Sequence, residues 1–315
     1  LSWLGEYKNS LKQIEAEEVL DLVIYRPVAF IIVKLTYQFN ITPNQVSVIA
    51  MMFGVLSGFL IGFGKEPFVI LGAFSYLACN ILDCVDGQIA RLKKNGTRVG
   101  RIVDGAIDYV VSTAIYLGIG VGFTHILNSN PSFSFSYNFL GDSYSMNMLY
   151  AWLITALGGF SSAFQAIYFD YYRNQYLEKV YGKFSSIEEE IKEFEEERDK
   201  LSINKRPGNF IDRILVRVYL KYCNMQLTLM KHRSEKGIDT ANIPPETYKA
   251  RHGFPLYLCG FMGSTTHMTL CFIFALTGDF EKYLWVCILP LNLLMMALYF
   301  NQKRIDKNII YKLTK

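Results

Sequence analysis

The sequence lacks most of the signatures by which soluble enzymes and metalloproteins are recognised. Its six cysteines, Cys79, Cys84, Cys223, Cys259, Cys271 and Cys287, form no CxxC pair. That argues against a zinc ribbon or a redox pair and leaves buried, reduced thiols as the reading. The four histidines, His125, His232, His252 and His267, show no ligand spacing. There is no HExxH, no P-loop and no GxSxG, so zincin, P-loop NTPase and serine-hydrolase chemistry have no anchor. One loop, from Thr124 to Met148, holds neither Lys nor Arg. No cleavable signal peptide is evident.

What is present is apolar. Of the 315 residues, 51% are hydrophobic and only 19% charged, with a mean hydropathy of +0.18. The charge is segregated, because six apolar stretches of spanning length occur at about 44–64, 67–91, 101–126, 148–172, 254–277 and 282–301. Each reaches the roughly 20 residues that a helix needs to cross the hydrocarbon core. The fold class expected is an all-α integral membrane protein of six transmembrane helices, with an N-terminal interfacial amphipathic helix and a cytosolic helical insertion. Val19 to Tyr37, interrupted by Pro27, supplies the interfacial helix. The organisation expected is an arm over 1–41 and a six-helix domain over 42–315, with the insertion at 176–251.

Basic residues set the orientation. Arg91, Lys93, Lys94, Arg98 and Arg101 follow the second stretch, and Lys303, Arg304, Lys307, Lys312 and Lys315 follow the sixth. By the positive-inside rule these ends and the insertion face the cytosol. Within the insertion, Ser185 and Ser186 open an acidic helix, Pro207-Gly208 breaks it, and Asn209 to Lys231 carries Arg213, Arg217 and Lys221 in one stripe. The hairpin either packs on the core or lies on anionic lipid. Acids cancel the basic stripe, which argues against nucleic acid.

Four aspartates organise the chain. Asp83 and Asp86 are spaced i, i+3, and Asp104 and Asp108 are spaced i, i+4, so each pair shares one helix face. Carboxylates at a membrane edge are costly without a positive partner. A hard divalent cation, Mg2+ or Mn2+, is the natural one, and such ions often share their shell with substrate phosphates. Gly87 and Gly100 leave room for a bulky ligand, and Arg91 offers a fixed fork for phosphate. Thr42-Pro43-Asn44-Gln45 reads as a capped helix start. Gly54, Gly58 and Gly62 mark a close-packing face.

The pattern Asp83-xx-Asp86-Gly87-xx-Ala90-Arg91, eight residues, Gly100-xxx-Asp104-xxx-Asp108 resembles the signature of the CDP-alcohol phosphotransferases, integral membrane enzymes of phospholipid synthesis. The resemblance implies a metal-dependent transfer in which an acceptor hydroxyl attacks the β-phosphate of a CDP-linked donor and releases CMP. It implies Asp83, Asp86, Asp104 and Asp108 as metal ligands and Asp108 as general base. Asp83, Gly87, Ala90, Arg91, Gly100 and Asn44 are then expected around the nucleotide. Asn44 has a cap-side reading as well, beside the helix start.

Gly96-Thr97-Arg98 is similar to the inositol-using branch, close to the phosphatidylinositol-phosphate synthases. That favours CDP-diacylglycerol as donor and inositol or its phosphate as acceptor, with Arg173, Arg251 and Arg304 as acceptor-binding residues. The partners expected are the donor, a lipid or polyol acceptor, the bilayer and a second copy in a homodimer. The alternatives are a CDP-choline or CDP-ethanolamine transferase, a transporter whose acids mark an ion path, and a scaffold that has lost turnover.

Overall fold

In the computed structural model the described residues are 3–11, 14–96, 98–129, 136–139, 142–182, 187–203, 213–214, 216–217, 219–221, 223–224 and 243–313. The order is α1 (Trp3–Ser10), α2 (Arg26–Thr36), α3 (Pro43–Gly62), α4 (Glu66–Lys93), α5 (Arg98–Ser129), β1 (Ser136–Phe139), β2 (Asp142–Ser145), α6 (Asn147–Tyr181), α7 (Ile187–Ile203), α8 (Pro245–Cys259), α9 (Ser264–Thr277), α10 (Phe280–Ile288) and α11 (Pro290–Leu313). Among the described residues six segments are long and apolar enough to cross a membrane: α3, α4, α5, α6, α8 with α9, and α10 with α11. The chain is thus an all-α membrane protein. Its strands β1 and β2 form a short antiparallel hairpin between α5 and α6, with Ser136 opposite Ser145.

The helix ends follow local chemistry. Thr42 caps α3 in a complete capping box: its hydroxyl accepts from the Gln45 N–H at 3.4 Å, and its own N–H donates to Gln45 Oε1 at 3.0 Å. Pro27 does not split the amphipathic stretch into separate helices. A π-helical turn over Asp21–Tyr25 leads directly into α2, and Pro27 follows it, so the wider turn takes up a residue that cannot donate to the preceding helical carbonyls. Ala29, Phe30 and Val33 of α2 are buried, while Val28, Ile31 and Leu35 are exposed. That split suits a helix lying in an interface.

The glycine face of α3 is used within the chain. A methyl on Gly58 would overlap the Ala114 carbonyl of α5, and one on Gly118 would overlap the Gly58 carbonyl. The two backbones are in direct contact there, as small residues allow in membrane helix pairs. Ser57 Oγ donates to the Gly72 carbonyl at 2.7 Å and Ser75 Oγ to that of Phe53 at 2.8 Å, locking α3 to α4.

The last two spans differ from the continuous stretches expected over 254–277 and 282–301. The fifth breaks at a 3₁₀ turn, Gly260–Met262, and an extended Gly263 (φ −74°, ψ 168°) before α9 begins. The sixth breaks at Leu289, where Pro290 starts α11. Apolar composition hides such breaks, because Gly and Pro are tolerated in spans whose freed backbone groups find partners.

Ser185, Ser186, Pro207, Gly208 and most of 209–231 lie outside the described residues. What is described of the insertion packs on the core: Ile191, Phe194, Val216, Leu220 and Cys223 form one cluster with Ile102 of α5. Phe194 meets Tyr219 edge-on, with ring centroids 4.7 Å apart. All six cysteines are buried free thiols.

Candidate functional site

The site is built by the end of α4 and the start of α5. Carboxylate oxygens of Asp83, Asp86 and Asp104 all lie within 4.8 Å of one another. The i, i+3 spacing turns Asp83 and Asp86 to one side of α4, and α5 returns antiparallel with Asp104 against them. Asp108 stands one turn further along α5, is exposed, and feels the fields of Asp83, Asp104, Asp86 and Asp170. The donor set is hard oxygen only, which matches the preference of Mg2+ or Mn2+. Like charges so close repel strongly at low dielectric, so a divalent ion between them fits the residues present.

Two residues that the sequence reading passed over join this centre. Ser47 of α3 donates to Asp86 Oδ2 at 2.5 Å, and both residues are buried. A hydroxyl one turn inside an apolar helix was the available signal. Asp170 of α6 reaches Asp108 electrostatically and pairs with Arg173 at 2.9 Å.

The other expected site residues divide. Gly87 lies beneath the Arg91 guanidinium, so that a Cβ there would sit 3.2 Å from Nη2. Ala90 is half-buried beside Gly96, in the turn where Lys94 takes a left-handed conformation (φ 52°) and closes α4. Gly100 is half-buried in the first turn of α5. Asn44 is exposed at the start of α3. Lys93 ties this corner together, donating to the carbonyls of Phe39 at 2.8 Å and Ile41 at 3.3 Å. Thr97 lies outside the described residues, as does the Arg98 side chain. Arg251 and Arg304 are exposed on α8 and α11. Among the described residues neither pairs with an aspartate, whereas Arg173 is held by Asp170.

His267 is buried, with Nδ1 3.7 Å from Cys287 Sγ. That places it among core side chains of α9 and α10, as a structural histidine.

The family model for CDP-alcohol phosphatidyltransferase matches residues 40–166. This stretch runs from the capped start of α3 into α6 and contains all four aspartates and Ser47. No match was found among curated proteins. The family generally depends on a divalent metal, and the aspartate cluster is one that would hold it. Residues 40–166 of this membrane-spanning chain are therefore a CDP-alcohol phosphatidyltransferase domain, of a family that transfers phosphate groups in phospholipid synthesis.

Proposed function

We propose that the chain transfers a substituted phosphate from CDP-diacylglycerol to the hydroxyl of inositol or an inositol phosphate. A new bond forms from the acceptor oxygen to the β-phosphorus, and the bond to CMP breaks. The observation that carries this reading is the convergence of Asp83, Asp86 and Asp104 within 4.8 Å, with Asp108 exposed one turn beyond. A divalent ion bound there would neutralise the charge of the diphosphate, the main requirement of phosphoryl transfer.

The chain's own residues then position and deprotonate. Asp83, Asp86 and Asp104 are the ligands, with Asp108 able to share a second ion. Asp108 is the better base because it is open to an incoming acceptor, whereas Asp86 is buried under Ser47. Gly87, Ala90, Arg91 and Gly100 line the CMP, and Asn44 borders it. Arg173, steadied by Asp170, faces an acceptor phosphate, with Arg251 and Arg304 further out. Positive-inside charge supports a cytosolic site, where CDP-linked donors and polar acceptors meet.

The test is CMP release by purified protein from CDP-diacylglycerol and, separately, CDP-ethanolamine, each against a panel of acceptors. Release from the first with inositol or inositol phosphate is expected. Asp108→Asn should reduce it by about 10²- to 10⁴-fold, the span of general-base effects, while metal binding persists. Release only from CDP-ethanolamine would move the chain to the other branch. Release in no arm would remove the transferase reading of this site.

A further inference from the structure

The segment before α2, which reads in sequence as polar and mixed in charge, is stitched into the bundle by four acids. Glu15 accepts from Tyr176 at 3.2 Å and Tyr181 at 2.6 Å, and pairs with Lys249 at 2.8 Å. Glu17 pairs with Arg26 at 2.6 Å. Asp21 accepts from Thr265 Oγ1 at 2.9 Å and meets Arg26 at 3.4 Å.

Glu18 is the deepest, 6% exposed. Its carboxyl group sits in the break of the fifth span, facing the N–H groups of Thr265 at 3.4 Å and Thr266 at 3.2 Å and the Ser264 hydroxyl at 3.4 Å. These donors have no intrahelical partner, and an acid at a buried helix start satisfies them and the helix dipole. Gly263 makes the space: a methyl there would land on the Glu18 carboxyl group.

The other end of this arm reaches the nucleotide corner. Ser10 is fully buried, and its carbonyl accepts from Arg91 Nε at 2.5 Å. The guanidinium lies over Gly87, and its Nη2 is buried with no hydrogen-bond partner. A buried guanidinium nitrogen without an acceptor is costly, and a phosphate oxygen is the acceptor that its fork suits.

We propose that Glu18 is a positioning residue: plugged into the fifth-span break, it fixes the arm so that Ser10 holds Arg91 over Gly87 with Nη2 directed to a donor phosphate. This rests on the reading of Gly87 and Arg91 as the CMP-lining pair. It adds that the arm, outside the matched domain, sets donor affinity.

The test uses the full chain carrying Glu18→Ala, Glu18→Gln, Gly263→Ala, or Glu18→Ala with Gly263→Ala. Two readouts are taken: kcat and KM for the CDP-linked donor, and labelling of Cys84 by N-ethylmaleimide, located by mass spectrometry. Cys84 is buried with its Sγ 3.9 Å from Asp21 Oδ1, so loosening the arm uncovers it. Glu18→Ala and Gly263→Ala are each expected to raise donor KM about tenfold, the scale of one lost charge-assisted hydrogen bond, with kcat nearly unchanged. Both should speed Cys84 labelling.

Glu18→Gln, which keeps an acceptor oxygen, should fall between wild type and Glu18→Ala. The double variant should be no worse than Glu18→Ala alone, since the methyl then enters vacated space. Unchanged labelling would overturn the latch. Faster labelling with unchanged KM would overturn its link to Arg91, and so would a parallel fall of kcat and folded protein. A wild type that releases no CMP would overturn the functional reading, and with it the phosphate half of this proposal. The labelling series would still decide whether Glu18 holds the arm.

Discussion

Ser47→Ala is the sharpest probe of the metal reading, because it leaves every carboxylate in place. Ser47 Oγ is 2.5 Å from Asp86 Oδ2, and the two residues are 6% and 5% exposed. No bulk water waits to replace the lost hydroxyl. A hydrogen bond to a charged group contributes about 1.5–3 kcal/mol, which is roughly a ten- to hundredfold factor in an equilibrium. Outer-shell partners of metal ligands show the same range in metal affinity. The expected result is thus a ten- to hundredfold rise, about, in the Mg2+ concentration for half-saturation. It would be measured by calorimetric titration and again by the Mg2+ dependence of CMP release. Ser47→Thr, which keeps the hydroxyl, should restore most of the affinity. A Ser47→Ala protein that saturates at the wild-type Mg2+ concentration would show that Asp86 is not held for a metal, and the three-carboxylate reading would lose its support.

Two further outcomes follow from the packing and from the arm. Gly58→Ala should destabilise by about 3 kcal/mol, the upper end of overpacking costs, because the obstacle is the Ala114 backbone and not a yielding side chain. Gly62→Ala, whose methyl would meet nothing closer than 3.9 Å, should leave the thermal midpoint in detergent unchanged, and equal losses at both positions would refute the contact. The Glu18 carboxyl is pushed up to about 8 by burial and then by Asp21, against the Thr265 and Thr266 N–H groups. A group that binds its proton more tightly in the folded state contributes most below its ordinary range and loses that contribution as pH rises through its folded value. The denaturation midpoint of wild type relative to Glu18→Gln should therefore fall as pH rises from 4.5 to about 8, and a flat difference would contradict this.

Much of the bundle was legible because its signals are local. Apolar length located all six spans, and the i, i+3 and i, i+4 spacings located the aspartates, since both are properties of a single helix. The capping box at Thr42 and the close-packing glycines were legible for the same reason. The residues that sequence reasoning missed act across the chain. Ser47 meets Asp86 thirty-nine positions away, and Glu18 meets Thr266 two hundred and forty-eight positions away. Nothing in a run of mixed acids distinguishes a solvated face from a buried plug until the broken helix that receives it is placed. The break itself was hidden because GFMGS sets two large apolar residues among small ones, a composition that a continuous span also tolerates.

The bare contact of α3 with α5 at Gly58 and Gly118 has a mechanical corollary. With no side chains between them to flex, the two rods cross at a hard pivot. At 1.5 Å per residue, Asp104 lies roughly 20 Å from that pivot along α5. A change of about 3° in crossing angle therefore swings Asp104 by roughly 1 Å relative to Ser47 and Asp86, enough to open or close a carboxylate cage.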